Sequence, residues 1–92
     1  MTPMAPLVHL NGSSAQTLLD GYEAASRALS AALTALEEAA PNARDYYPKG
    51  DDAYSVARRE HSARVDSIRS ARADIWALSL SVSEQMAAGK SR

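Results

Sequence analysis

Arg44, Tyr46, Tyr47 and Lys49 lie within six positions and bring two cations, two flat aromatic rings and two hydroxyls into one segment. Such a set suits a nucleotide, because a base stacked on an aromatic ring gains about 1 to 3 kcal/mol and phosphates pair with Arg and Lys. A packed turn uses the same residues differently. The tyrosines then cover the end of a core, Asp45 pairs with Arg44, and Pro48 with Gly50 shapes the bend. Arg58, His61 and Arg64 follow the segment, and His61 and Arg64 interrupt an otherwise apolar spacing. A cation in an apolar seam requires a partner, either a carboxylate of a neighbouring subunit or a phosphate of a ligand.

Other chemistry is poorly supplied. His9 and His61 are the only histidines, and nothing sets them beside two carboxylates at metal-ligand spacing, so no metal and no cofactor is expected. A nucleophilic serine would need His61 and an orienting Asp, whereas the 12 serines read as helix-surface residues and caps. The four glycines are isolated, which excludes a glycine-rich phosphate loop, and the lack of cysteine excludes thiolate catalysis and disulfides. The chain is therefore not expected to be an enzyme.

Two helices must position these residues. In 92 residues, 19 of them Ala, Pro and Gly punctuate the chain at three places. An extended arm and cap are expected over 1–13, with Ser13 and Gln16 forming a capping box. A first helix is expected over 14–40, stopped by Pro41, then a linker over 41–52, a second helix over 53–87 capped by Asp51 or Asp52 and closed by Gly89, and a tail over 88–92. In the first helix Leu18, Tyr22, Ala25, Leu29, Ala32, Leu36 and Ala39 recur at steps of three and four, a narrow heptad seam. Its alanines permit close approach of a partner, and the second helix offers one: Tyr54, Ala57, His61, Val65, Ile68, Ala71 or Arg72, Ile75, Leu78 or Ser79, Val82 and Met86 have the same spacing. The fold class is all-α, an antiparallel two-helix hairpin with a short extended N-terminal arm.

A lone hairpin of this size buries too little to offset its ordering entropy, at roughly 1.5 kcal/mol per residue. The second helix is the longer by about two turns, and its overhang at the C-terminal end is read as apolar, with Ala73, Trp76, Leu80 and Ala87 forming a second face there. A helical-bundle homo-oligomer is expected, with Ile75, Trp76, Leu80 and Met86 in the contact; the competing role for Trp76 is to cap its own hairpin. Asn11 is explained by a turn before the helix cap, or else the arm crosses to another subunit and closes a pocket. The arm and the linker lie at opposite ends of one hairpin, so only assembly unites them.

Charge narrows the partners. The formal net charge of -1 gives no field to hold a nucleic-acid polymer or an anionic membrane. It also hides an asymmetry. The first helix carries Asp20, Glu23, Glu37 and Glu38 against Arg27, while the second sets Arg58, Arg59, Arg64, Arg69 and Arg72 against Glu60 and Asp66. Pairs at helical spacing, Glu23 with Arg27 and Glu60 with Arg64, account for part of it. No stretch approaches the roughly 20 apolar residues of a membrane span, and Met1 to Leu10 lacks the basic start of a secretory signal. A cytoplasmic protein is expected.

The His9-Leu10-Asn11-Gly12-Ser13 start, the Arg44-Asp45-Tyr46-Tyr47-Pro48 linker and Glu60-His61 with Arg64 resemble small uncharacterised phage and prophage proteins, over nearly the whole chain. In architecture the chain is also similar to the phage sponge proteins, small helical oligomers that sequester cyclic nucleotide or cyclic ADP-ribose immune signals without cleaving them. That resemblance implies an anti-defence role in the host bacterial cytoplasm. The ligand would be a small anionic nucleotide held between subunits by Tyr46 or Tyr47 and by Arg44, Lys49, Arg58 or Arg64. A rival expectation is an oligomeric protein-binding or structural phage module with no small-molecule ligand.

Overall fold

A computed structural model describes residues 2–90 of the chain; Met1 of the arm and residues 91 and 92 of the tail lie outside the described residues. Two α-helices dominate. The first, α1, spans Ala15–Glu38 and the second, α2, spans Ala53–Lys90, joined by a linker containing two short 3-10 turns, Ala43–Asp45 and Tyr47–Lys49. The helices pack against each other as a pair, and no strand occurs among the described residues. No helix of the described residues is long and apolar enough to cross a membrane.

The helix ends differ from the sequence expectation, each for a local reason. Ser14, not Ser13, is the N-cap of α1: it holds an extended backbone and its Oγ accepts the Thr17 amide at 3.1 Å. Gln16 does not complete a capping box and donates instead to Asp20 at 2.7 Å, one turn on. At the other end α1 stops at Glu38, two residues earlier than expected, because the ring of Pro41 already disfavours helical backbone at Ala40. In contrast α2 runs through Gly89 to Lys90. A glycine ends a helix by taking positive φ, and Gly89 does not; the one positive-φ glycine among the described residues is Gly50.

Gly50 turns the chain from the second 3-10 turn into α2 with φ 123 and ψ 169, a region open almost solely to glycine. Gly50→Ala is therefore expected to cost about 1 to 3 kcal/mol although nothing lies within 4 Å of the added Cβ. Gly21, in the middle of α1 and also with open space, gives the opposite sign, a gain of about 0.5 to 1 kcal/mol on changing to Ala. Urea midpoints at constant m-value check both.

The register between the helices follows from Arg72, whose Nη1 donates to the Ser30 Oγ at 3.4 Å, and from Ser26, which shares a cleft with Trp76. Sequence position rises along one helix as it falls along the other, so the pair is antiparallel. Counting outward at about 1.5 Å per residue brings Ala15 level with the last turns of α2 and Glu38 level with about Arg64. The overhang of α2 is consequently at its N-terminal end, where the linker folds back on it. The expected overhang at the C-terminal end does not occur.

Burial is sparse. Leu33 and Val82 are the buried residues among those described, and Val82 is the one side chain with 0% exposure. Leu18, Tyr22, Ala25, Leu29, Ala32 and Leu36 are half-buried as the heptad spacing implies, while Ala39 is exposed beyond the helix end. Leu19, Ser26 and Leu33 add a third row at seven-residue spacing, so α1 buries a broader stripe than a narrow seam. Close approach at Ala25 and Ala32 brings both flanks of the contact line under cover. On α2 the half-buried line runs through Tyr54, Ala57, His61, Val65, Ile68, Ile75 and Met86.

The N-terminal arm closes one flank of the C-terminal half of α2. Gln85 clasps it with both ends of its amide: Oε1 accepts the Val8 amide at 2.8 Å, and Nε2 donates to the Pro6 carbonyl at 2.9 Å. Pro3, Ala5, Pro6 and Val8 are half-buried, whereas Met4, Leu7 and Leu10 are exposed. Gln85 follows Trp76 by nine residues, about half a turn round the helix at 3.6 residues per turn, so the arm leaves the Trp76 side uncovered. The molecule is long and thin, 66 × 22 × 20 Å.

Candidate functional site

The linker is built from capped turns. Asn42 accepts the Arg44 amide on its side chain at 3.1 Å and starts the first 3-10 turn, and the Lys49 amide donates to the Tyr46 carbonyl at 2.9 Å in the second. This geometry sends the two tyrosines different ways. Tyr46 is half-buried, its ring 6.5 Å from that of Tyr54 at a tilt of 46°, and the Arg58 guanidinium stands 5.8 Å above the other ring, Tyr54. Rings at this separation and tilt attract through their quadrupoles, and the cation adds to this. Tyr46, Tyr54 and Arg58 thus form a ladder that covers the overhanging start of α2. Tyr47 is 75% exposed.

A groove of about 580 Å³ opens beside the ladder. Tyr46 and Lys49 line it, but so do Asp51, Asp52 and Glu60, giving three carboxylates against one ammonium. Arg44, Tyr47, Arg58, His61 and Arg64 are not among its lining residues. Sequence reading gave Asp51 and Asp52 a capping role and paired Glu60 with Arg64; their convergence required the chain to fold back at Gly50. Asp52 does stand at the head of α2, its carbonyl accepting the Val56 amide at 3.0 Å.

His61 lies half-buried on the seam, while Arg64 is exposed, because the line passes through Val65 and misses it. The cation expected inside the seam is therefore on the surface and needs no buried counter-charge. Asn11 is exposed in a turn closed by the Gly12 amide on the His9 carbonyl at 3.1 Å, at the opposite end of the hairpin from the linker. One chain does not bring it to Tyr46 or Lys49. Of the four apolar residues expected in a subunit contact, Ile75 and Met86 are half-buried on the line that faces α1, whereas Trp76, at 67%, and Leu80 are exposed.

A second cleft, of about 430 Å³, lies between the helices and is lined by Ser26, Arg69, Arg72, Ala73 and Trp76. No carboxylate lines it. Among the described residues the one ion pair within 4 Å is Arg27 with Glu23, at 2.6 Å, so all five arginines at 58–72 are without a carboxylate partner. Sequence reading assigned Arg69 to ordinary surface pairing and Trp76 to a contact. Their spacing with Arg72 on adjacent turns of one helix was a usable signal, but Ser26 enters only through the antiparallel register. No cluster of three or more His, Asp or Glu able to hold a metal ion occurs among the described residues.

Comparison of the chain with family models, with curated proteins and with solved structures finds no match in any of the three.

Proposed function

We propose that the chain is a non-catalytic binding module that works as a homo-oligomer and holds a small anionic ligand of nucleotide type without turning it over. One observation carries the choice of an anion. Arg58, Arg59, Arg64, Arg69 and Arg72 project from a single rigid helix with no carboxylate partner, in a chain whose net charge is -1. Unpaired guanidinium groups fixed on one element suit phosphate, which they bind through two parallel hydrogen bonds. The resemblance to phage sponge proteins read from the sequence suggests the biological setting, in which the module withholds a cyclic nucleotide or cyclic ADP-ribose-type immune signal inside the host bacterium.

Assembly is supported by surface. The chain exposes 6966 Å², where a compact monomer of its mass exposes about 5,200 Å². The excess, roughly 1,800 Å² on one chain, is more than the share of about 800 Å² that each partner contributes to a standard interface. Leu80, with Met4, Leu7 and Leu10 of the arm, supplies exposed apolar residues toward one end, outside the cleft that Trp76 lines. A second copy of the chain is the proposed occupant, since both copies lack the same cover.

The three carboxylates of the linker groove favour a second reading, an oligomeric protein-binding or structural module that meets a basic partner and has no small ligand. Thermal unfolding across a panel of cyclic mononucleotides, cyclic dinucleotides and ADP-ribose derivatives separates the two. A ligand at 100 times its dissociation constant is expected to add about 2.7 kcal/mol. Stability unchanged by every member of the panel would remove the nucleotide reading and leave the protein-binding one.

A further inference from the structure

We infer that the anionic ligand binds in the cleft lined by Ser26, Arg69, Arg72 and Trp76, and not at the linker; the inference rests on the nucleotide reading above. Both openings are large enough for a small ligand, which typically occupies 300 to 1,000 Å³. Their charges separate them. The linker groove sets Asp51, Asp52 and Glu60 against Lys49, so a phosphate there meets more like charge than opposite. The interhelical cleft offers two guanidinium groups, one hydroxyl and no carboxylate.

The cleft also has an aromatic face to spare. Tyr46 is engaged with Tyr54 and Tyr54 with Arg58, and Tyr47 is exposed but lines neither opening, whereas Trp76 lines the cleft and is 67% exposed with no ring or cation contact of its own. An indole in this state offers a broad stacking surface, and stacking is tolerant of which base it receives. Along α2, Arg72 stands one turn from Trp76 and Arg69 two turns, about 6 and 10 Å of helix rise. That order lays out a planar base at one end and one or two phosphates toward the other. Arg72 is partly positioned already, being half-buried with its Nη1 on the Ser30 Oγ, while Arg69 is exposed and free to close over a bound phosphate. Ser26, from the facing helix, adds a hydroxyl and makes the site a product of the antiparallel pairing.

Because Trp76 is the single tryptophan, its emission reports directly on the cleft. Titration with AMP and with a cyclic dinucleotide is expected to change Trp76 fluorescence saturably, and pyrophosphate, which has no base, to bind with a much smaller change. Arg69→Gln and Arg72→Gln are each expected to weaken nucleotide binding at least tenfold with helicity preserved by circular dichroism. Lys49→Gln and Tyr47→Ala leave it unchanged. Should an arginine variant fail to fold, the unmodified protein still tests the site: the Trp76 signal persists on binding, and affinity falls as salt is raised. A nucleotide that stabilises the protein without altering Trp76 emission, and whose binding is lost in Lys49→Gln, overturns the cleft while the functional reading stands. Absence of stabilisation by any nucleotide overturns both.

Discussion

Val82→Asp is expected to unfold the hairpin. Val82 is the one fully buried side chain among the described residues, on the half-buried line of α2 between Leu78 and Met86, with the arm held one turn away by Gln85. A carboxylate there has no counter-charge, and an uncompensated buried charge costs about 3 to 5 kcal/mol. Domains have total stabilities of about 5 to 15 kcal/mol, and a chain with two buried residues stands at the low end of that range. Circular dichroism should show loss of most of the helical signal at room temperature, or a midpoint far below that of the parent. Val56→Asp is the matched control. Val56 is the same residue type on the same helix but 40% exposed, and its replacement should cost about 1 kcal/mol or less, most of it repulsion from Asp52 and Glu60 one turn away on either side. Equal effects at the two positions would show that Val82 does not occupy the centre of the packing.

The second large effect concerns assembly. Leu80→Glu is expected to bring the mass in solution down to the 9.8 kDa of a single chain. Leu80 is exposed one turn from Trp76, lies outside the lining of the cleft, and has no partner that a glutamate would satisfy. Charge placed at the centre of a contact commonly costs 2 kcal/mol or more, which corresponds to about a 30-fold weaker association. Light scattering at several concentrations reads this directly. Helicity at high concentration should change little, since Leu80 is exposed and is not among the buried residues of the hairpin. A parent protein that is monomeric at all concentrations, or a variant of unchanged mass, refutes this face as the subunit contact. The variant also keeps binding and assembly apart: nucleotide-induced fluorescence of Trp76 that survives in a monomeric Leu80→Glu chain assigns the whole cleft to one subunit.

The outcomes above trace back to different levels of organisation. The periodicity of Leu18, Tyr22, Ala25 and Leu29, the proline at 41 and the cluster of turn residues around Gly50 are local properties, and local hydrogen bonding and side-chain spacing suffice to make two helices and a linker of them. For the same reason the expected helix boundaries fall within a few residues of the observed ones, and the row containing Leu33 was the main packing feature overlooked. The arm is different. That Gln85 would hold Pro6 and Val8 depends on residues 77 and 79 positions apart, and nothing in the spacing of the arm announces a glutamine partner.

Charge shows the division most clearly. Sequence alone established that the chain is helical, that its cations concentrate on the second helix and that its aromatics are few. Which cations stand beside which aromatic was decided by the register between the helices. Folding back at Gly50 brought three carboxylates to Tyr46, and antiparallel pairing opposed Ser26 and Ser30 to Trp76 and Arg72. Residue type and periodicity are read along the chain, but a binding site is a sum of short-range interactions across it. Charge interactions are screened beyond a Debye length of about 10 Å and stacking needs direct ring contact, so only the tertiary contacts determine whether a cation meets a carboxylate, a ring or an open cleft.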